Sequence, residues 1–194
     1  MYQNKVDTKR EENNMFYISE IKTIKPEKFE NKLQQKVYQT LEELEISYER
    51  VETDEAITME DCIQINEKLN MKMVKTIFLC NRQQTDFYLY ITTANKRFHS
   101  KNFSSCLGIS RVSFAPAEMM QEILGTKIGA ATIFSSLLDI DLKVNIILDK
   151  DILKEEFYGC SDGTTTGYMK ISTTDITNKL LPYSKHKEKI LEIE

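Results

Sequence analysis

Apolar residues in the first third of the chain recur with the period of a helix and then with that of a strand. Between residues 29 and 44, apolar side chains fall three or four positions apart, which is the spacing of an amphipathic helix. Residues 46–53 alternate as a strand does. Thr58, with Asp61 three residues later, resembles a capping box, so a second helix is predicted to begin there.

The middle of the chain is rich in strands. Residues 73–81 and 86–93 are two apolar runs separated by four polar residues, which predicts a hairpin. A short helix is predicted from Ser100 to Gly108, because glycine is favoured just past a helix end. A short strand at 112–115 and a helix from Pro116 to Gly125 are predicted to follow.

The last third predicts two further strands, 143–149 and 168–172, and a closing helix at 173–181. Hairpins and helices are interspersed, without strict alternation of strand and helix. This order favours an α+β fold, with one mixed β-sheet flanked by helices, over a doubly wound parallel sheet. We expect residues 26–194 to form this single domain and residues 1–25 to form an N-terminal arm.

Composition places the chain among ordinary globular proteins. Its 194 residues include 26 Lys and Arg against 30 Asp and Glu, and 41% are hydrophobic. No apolar run is long enough for a membrane span, and residues 1–14 lack the pattern of an export signal. We therefore expect a cytoplasmic protein. The formal charge of −4 excludes a strongly basic nucleic-acid binder, although Lys96, Arg97, Lys101 and Arg111 form a loose basic set that would be either a solvated face or a phosphate contact.

The four cysteines and two histidines do not form a recognisable site. The cysteines are too far apart in sequence for paired metal ligands or a disulfide framework, and neither histidine has the neighbours of a catalytic triad. We therefore expect no metal and no cofactor.

Lys75 lies in a strand whose side chains alternate, so it shares a face with Ile77 and Leu79. An unpaired charge on an apolar face is costly to bury. Lys75 is therefore either a strand-end residue that reaches solvent or a residue that contacts an anionic ligand at the rim of a pocket.

Two loops of small residues are further candidates. Residues 125–132 are predicted to link a helix to a strand, and small residues allow backbone N–H groups to approach a ligand. Residues 159–167 hold three of the six glycines but lack the Gly-Lys-Ser/Thr ending of a P-loop. Each loop is either a turn or the wall of a site.

Three separated segments, read in order, carry a family resemblance: 74–82 (VKTIFLCNR), 107–115 (LGISRVSFA) and 153–160 (LKEEFYGC). Together they resemble the YbaK/prolyl-tRNA synthetase-associated domain family, over roughly residues 27–185. These proteins are trans-acting editing deacylases, and the chain is most similar to the freestanding branch that removes alanine from proline tRNA. The resemblance implies a partly barrel-like sheet and a small pocket for the aminoacyl group on the tRNA 3′ end.

The resemblance also implies which residues act. It assigns Lys75 to substrate positioning and the loop Gly129, Ala130, Ala131 and Thr132 to backbone donors that hold the carbonyl oxygen as charge develops. In the family, hydrolysis of the ester needs neither a metal nor a protein nucleophile, because a ribose hydroxyl of the substrate assists the attack.

The chain departs from the family at several pocket positions. Thr76 stands where asparagine is common and Ile133 where proline is common. The family's late His-Pro aligns with Ser161 and Asp162, and its Asn-Thr with Thr165 and Thr166. These six substituted or adjoining positions are expected to line the substrate pocket: Thr76, Ile133, Ser161, Asp162, Thr165 and Thr166. Two functions stay open: a deacylase for a small mischarged amino acid, or an editing fold that binds an amino acid, an aminoacyl-tRNA or a protein without turnover.

Overall fold

The computed structural model describes residues 15–56 and 59–193. Within those residues the strands are β1 (Tyr48–Glu52), β2 (Val74–Cys80), β3 (Phe87–Thr93), β4 (Ser113–Phe114), β5 (Val144–Asp149), β6 (Phe157–Ser161), β7 (Gly167–Ser172) and β8 (Lys189–Leu191). The α-helices are α1 (Lys32–Glu43), α2 (Met59–Leu69), α3 (Ser100–Leu107), α4 (Ala117–Met119), α5 (Thr173–Asp175) and α6 (Leu181–Ser184). Short 3-10 helices span Ile133–Leu137 and Lys150–Lys154, and π-helical turns span Met120–Leu124 and Ile176–Leu180.

The strands form two sheets. The larger sheet has the order β4-β2-β3-β5-β8; β2 pairs antiparallel with β3, whereas β3 with β5 and β5 with β8 are parallel. The smaller sheet, β1-β7-β6, is antiparallel. A single parallel bridge between Met73 and Gly159 joins the two sheets, which do not close into a barrel within the described chain. The predicted α+β domain with mixed strand pairing and flanking helices is confirmed, with its strands divided between two sheets.

Strand alternation divides the core around β2. Phe78 and Cys80 face the main cluster, where they pack with buried residues of α1 and of the smaller sheet. Ile77 and Leu79 face a second cluster beneath α3. This sidedness matters for function because neighbouring residues of β2 reach different surfaces of the domain.

Several predicted element boundaries shift. The first helix begins at Lys32, because the Asn31 side chain caps it by accepting from the Gln34 N–H at 2.8 Å. Thr58, the predicted cap of the second helix, lies outside the described residues. The segment after the 125–132 loop is a 3-10 helix where a strand was expected, and residues 159–161 belong to β6 where a loop was expected.

The closing helix continues past residue 181 to Ser184. The π-helical turn ends at Leu180 and α6 begins at Leu181, so that Pro182 lies in the first turn of α6, where proline is tolerated. Of the proposed arm, residues 1–14 lie outside the described chain. Its remaining part runs beside β1, with bridges from Ile18 to Thr53 and from Lys22 to Arg50. Among the described residues, no helix has both the length and the apolar character that crossing a membrane requires.

Candidate functional site

A cleft of about 400 Å³ opens between β2, the ends of β6 and β7, and the loop of residues 126–132. The lining side chains are all uncharged: Met73, Val74, Thr76, Ile77, Phe78, Phe114, Ala115, Met120, Ile128, Gly129, Ala131, Cys160, Ser161 and Tyr168. Its volume falls in the range of small-molecule sites. Apolar walls with a few hydroxyl and backbone groups suit a small neutral group better than an ion.

The β2 strand contributes Thr76 to this cleft and turns Lys75 away from it. The ammonium of Lys75 donates to the carbonyl of Lys96, in the loop that follows β3. Partial burial lowers the pKa of Lys75 from its usual value. The expectation that Lys75 reaches the pocket is therefore corrected. Strand alternation puts its side chain on the face opposite to Thr76.

The glycine loop brings two backbone donors to the cleft. Gly129 has φ +90°, a conformation that favours glycine, and it lines the cleft together with Ala131. No acceptor within residues 15–56 and 59–193 takes the N–H of either residue. The Ala130 N–H, by contrast, donates to the Lys127 carbonyl at 3.1 Å, so Ala130 is not available as the donor that was expected.

Thr132 and Ile133 lie behind the cleft wall and not on its surface. Both are fully buried, and Ile133 packs in the main core at the start of the 3-10 helix. The predicted substrate contact of Ile133 is therefore corrected. The Thr132 hydroxyl is buried, and Thr132 is not among the lining residues of the cleft.

Ser161 and Cys160 form the β6 wall of the cleft. The Ser161 hydroxyl donates to the Ala130 carbonyl at 3.3 Å and accepts from the Gly163 N–H at 3.4 Å. This pair of bonds ties the turn after β6 to the glycine loop. Burial raises the pKa of the Cys160 thiol, so that this group stays neutral and is a poor nucleophile.

Asp162 points away from the cleft, contrary to expectation. Its fully buried carboxylate accepts from Gln34 and Tyr38 of α1, each at 2.9 Å, and from the Thr164 hydroxyl at 2.8 Å. A Cβ on Gly167 would lie 2.3 Å from one carboxylate oxygen, so the glycine makes room for this contact. Asp162 joins α1 to the β6–β7 turn and is not a pocket residue.

Thr165 and Thr166 lie near the mouth of the cleft without lining it. The Thr165 hydroxyl donates to Glu55 at 2.9 Å, and Glu55 also pairs with Lys127 of the glycine loop at 2.9 Å. These two partners lower the pKa of the Glu55 carboxyl. The Thr166 hydroxyl donates to Glu30 on the outer surface. Thr165 therefore braces the glycine loop, and Thr166 is remote from the cleft.

Sequence reasoning missed Phe114, Met120 and Tyr168, all of which line the cleft. The Tyr168 hydroxyl donates to the Thr165 carbonyl at 3.1 Å, and burial raises the pKa of this phenol. For Phe114 the available signal was its position within the family segment 107–115. For Met120 and Tyr168 no local pattern distinguishes a cleft residue from a core residue.

The arrangement can hold a small neutral group and stabilise negative charge on an oxygen. Gly129 and Ala131 line the cleft with N–H groups that have no acceptor among the described residues, and no lining side chain is an activated nucleophile. The histidine that could serve as a base, His186, is instead buried against Asp139, with Nε2 to Oδ2 at 3.0 Å. Electrostatic stabilisation by fixed donors is the chemistry that this cleft offers.

Comparison with known proteins gives concordant results. A family model described as the aminoacyl-tRNA editing domain matches residues 53–179. The prolyl-tRNA editing protein ProX of Acetoanaerobium sticklandii is 28% identical over 119 residues, which cover 61% of this chain and 73% of that protein.

Two solved structures share the fold. A candidate trans-editing enzyme for prolyl tRNA synthetase superposes with a TM-score of 0.57 and 16% identity, over 84% of this chain and 98% of that one. A scaffold protein used in epitope backbone grafting superposes with a TM-score of 0.60 and 14% identity, over 84% and 97% of the two chains. At these identities the likeness concerns the fold alone.

Proposed function

Because the chain belongs to the aminoacyl-tRNA editing domain family, which acts on mischarged aminoacyl-tRNA, we propose that it is a deacylase that hydrolyses the ester of a small amino acid on tRNA. One observation carries the proposal: Gly129 and Ala131 line an uncharged cleft, and their N–H groups have no acceptor in the part of the chain that the structure describes. Such donors are suited to an oxyanion that forms and disappears during ester hydrolysis.

The reaction follows from that geometry. Water adds to the ester carbonyl carbon, and the electron pair of the carbonyl moves onto its oxygen, where the N–H groups of Gly129 and Ala131 receive it. The carbon–oxygen bond to the terminal ribose then breaks. The ribose oxygen takes a proton that the attacking water releases, leaving the free amino acid and the tRNA. The substrate's neighbouring ribose hydroxyl relays that proton, because Cys160 and Ser161 are engaged or neutral.

The size and polarity of the cleft support a small amino acid. About 400 Å³ must accept the aminoacyl group together with part of the terminal ribose, and the hydroxyl-bearing residues of its lining are Thr76, Ser161 and Tyr168. A long or charged side chain would find neither room nor a counter-ion there. We take alanine on proline tRNA as the first substrate to test, in keeping with the name of the prolyl-tRNA editing relative.

The test is deacylation of a panel of charged tRNAs by the purified protein. Alanyl-tRNA(Pro) should be cleaved faster than prolyl-tRNA(Pro), and seryl-tRNA and glutamyl-tRNA serve as a polar and a charged comparison. Cleavage should survive treatment with a thiol reagent, because no thiolate takes part. Equal background hydrolysis of every member of the panel would contradict the proposal.

A second candidate is an editing fold that binds without turnover. The observation in its favour is Lys75, which contacts the Lys96 carbonyl and not the cleft. This candidate predicts saturable binding of a non-hydrolysable alanyl-adenosine analogue by a protein that leaves alanyl-tRNA(Pro) intact. Turnover of any member of the panel rules it out.

A further inference from the structure

A second concavity, of about 610 Å³, adjoins the cleft on the outer side of β4. We define it as the arginine–phenylalanine groove, lined by Arg82, Phe98, Ser100, Arg111 and residues 112–114. None of these residues is acidic, although the chain as a whole carries a net charge of −4. The groove is thus a local basic surface on an acidic protein.

The two guanidinium groups of the groove are not neutralised by the protein. Neither Arg82 nor Arg111 contacts a carboxylate within residues 15–56 and 59–193. Arg111 makes one long hydrogen bond, in which its Nε donates to the Ser100 hydroxyl at 3.4 Å. Lys96, which the sequence groups with Arg111, differs because it pairs with Asp149 and Asp151 at 2.9 and 2.7 Å. Arg82 and Arg111 keep their charge available for an anion. Arg97 and Lys101 are also exposed and make no ion pair among the described residues, but neither of them lines the groove.

An exposed aromatic ring lies between the arginines and the cleft. Phe114 is 67% exposed, and its ring meets the edge of Phe98 with the centroids 5.7 Å apart. Phe98 in turn packs on Phe103 of the second cluster, so the pair is held from below. A large aromatic side chain displayed in this way is a platform on which a planar group can stack.

The groove is continuous with the cleft because Phe114 lines both. A ligand whose reacting end lies in the cleft can therefore extend past Phe114 into the groove that holds the two arginines. Stacking on an aromatic ring followed by contact with positive charge is the arrangement that binds single-stranded nucleic acid.

We infer that the arginine–phenylalanine groove binds the unpaired nucleotides next to the aminoacylated end of the tRNA, with a base stacked on Phe114 and phosphates at Arg82 and Arg111. This inference rests on the proposed function, because it takes the terminal ester to lie in the cleft. An acidic peptide would satisfy the arginines but would leave the aromatic platform unused, so charge and stacking together favour RNA.

The test measures binding of uncharged RNA, which is independent of ester hydrolysis. The probe is a fluorescein-labelled five-nucleotide single strand that ends in CCA, with fluorescence anisotropy measured across a range of salt. The variant is Arg82→Gln/Arg111→Gln. The matched control is Lys187→Gln/Lys189→Gln, which removes the same charge at β8, the opposite edge of the larger sheet from β4.

The double arginine variant should weaken binding at least tenfold and reduce the slope of log Kd against log salt by about 1.4, because each phosphate neutralised on a single strand contributes about 0.7. The control should bind as the wild type does. Phe114→Leu, which keeps an apolar side chain but removes the ring, should weaken binding on the order of tenfold with an unchanged salt slope. Circular dichroism of each variant confirms that it folds.

Three outcomes would overturn the inference: no binding of the strand by the wild type, equal loss in the lysine control, or equally groove-dependent binding of a blunt RNA duplex or a polyglutamate peptide. The same measurements distinguish failure of this inference from failure of the proposed function. If the wild type and the double arginine variant cleave alanyl-tRNA(Pro) equally well, only the role of the groove is contradicted. If the protein binds the strand through the groove but cleaves no charged tRNA, only the proposed deacylase activity is contradicted.

Discussion

Lys75 and Thr76 are neighbours in the sequence but lie on opposite sides of β2, where Lys75 pairs in register with Thr92 and Thr76 with Ile91. Thr76 consequently lines the cleft, whereas the Lys75 ammonium is held by the Lys96 carbonyl. Of the two residues, Thr76 is the one placed to touch a ligand in the cleft.

Thr76→Val keeps the shape of the side chain and removes its hydroxyl. We expect kcat/KM for alanyl-tRNA(Pro) to fall about five- to tenfold, since one neutral hydrogen bond contributes about 1 kcal/mol. Steady-state deacylation kinetics measure the change. Thr174→Val, on exposed α5, is the matched control and should not differ from the wild type. Unchanged kinetics in Thr76→Val would remove Thr76 from the site.

Gly129→Ala tests the backbone donors. Because Gly129 has φ +90°, a backbone conformation that a side chain disfavours, alanine should rotate the peptide and move its N–H away from the ester oxygen; the Cβ itself would meet the Thr165 methyl group only at an ordinary contact distance of 3.6 Å. Loss of an oxyanion donor costs about 10²- to 10³-fold in kcat.

Gly108→Ala is the control for this strain. Gly108 also has a positive φ, +64°, but it ends α3 and a Cβ there meets nothing within 4 Å. Both variants should lose about 1 kcal/mol of stability in urea denaturation, while Gly108→Ala keeps its activity. Comparable activity in the two variants would show that the donors of the loop do not act in hydrolysis.

Asp162→Asn tests a structural role. An amide has one acceptor oxygen where the carboxylate has two, so its NH2 group faces either the donors of Gln34 and Tyr38 or the N–H of Thr164, and buried hydrogen bonds to a charged group are lost in either orientation. We expect a loss of about 3 kcal/mol in the free energy of unfolding, measured by urea denaturation. Asp141→Asn, at a side chain that is 73% exposed, should change stability by less than about 0.5 kcal/mol. A stable Asp162→Asn protein with altered substrate preference would place Asp162 in the site after all.

The lowered pKa of Asp149 predicts how the stability of the folded protein depends on pH. Burial alone would raise its pKa, but the hydrogen bonds from the Asp151 N–H, Lys96, Thr92 and Tyr90 outweigh burial and hold the pKa below the usual 3.8. The unfolded chain therefore binds the proton more readily, so that the stabilisation is complete above about pH 5 and is lost as the pH falls below 4.

Asp149→Asn removes this titration. We expect the variant to be about 2 kcal/mol less stable than the wild type at pH 6 and to differ less from it at pH 3. Urea midpoints at the two pH values give the comparison. If the difference in stability between the wild type and Asp149→Asn is as large or larger at pH 3 than at pH 6, the carboxylate of Asp149 is not stabilised in the folded state.

Thiol reactivity separates the proposed mechanism from covalent catalysis. Cys106 is exposed, while Cys160 is buried in the cleft wall with a raised pKa. Iodoacetamide at pH 7.5 should therefore modify Cys106 and leave Cys160 and the deacylation rate unchanged, as peptide mass spectrometry and kinetics would show. Rapid alkylation of Cys160 with parallel loss of activity would point to a cysteine nucleophile.

The sequence by itself determined the α+β class, the β2–β3 hairpin and the membership of an editing family. Apolar periodicity and turn residues are local, and the three family segments keep their order along the chain whatever surrounds them. The glycine loop could also be identified locally, because small residues and a positive φ at Gly129 go together.

Only the tertiary structure decided which residues meet. The sequence places Lys75 beside Thr76 and Asp162 beside Ser161, yet in each pair one side chain faces the cleft and the other is held elsewhere, by the Lys96 carbonyl or by α1. The physical reason is that successive residues of a strand point to opposite faces, and the partner on each face comes from a distant part of the chain. Phe114, which lines both the cleft and the groove, is positioned by the pairing of β4 with β2.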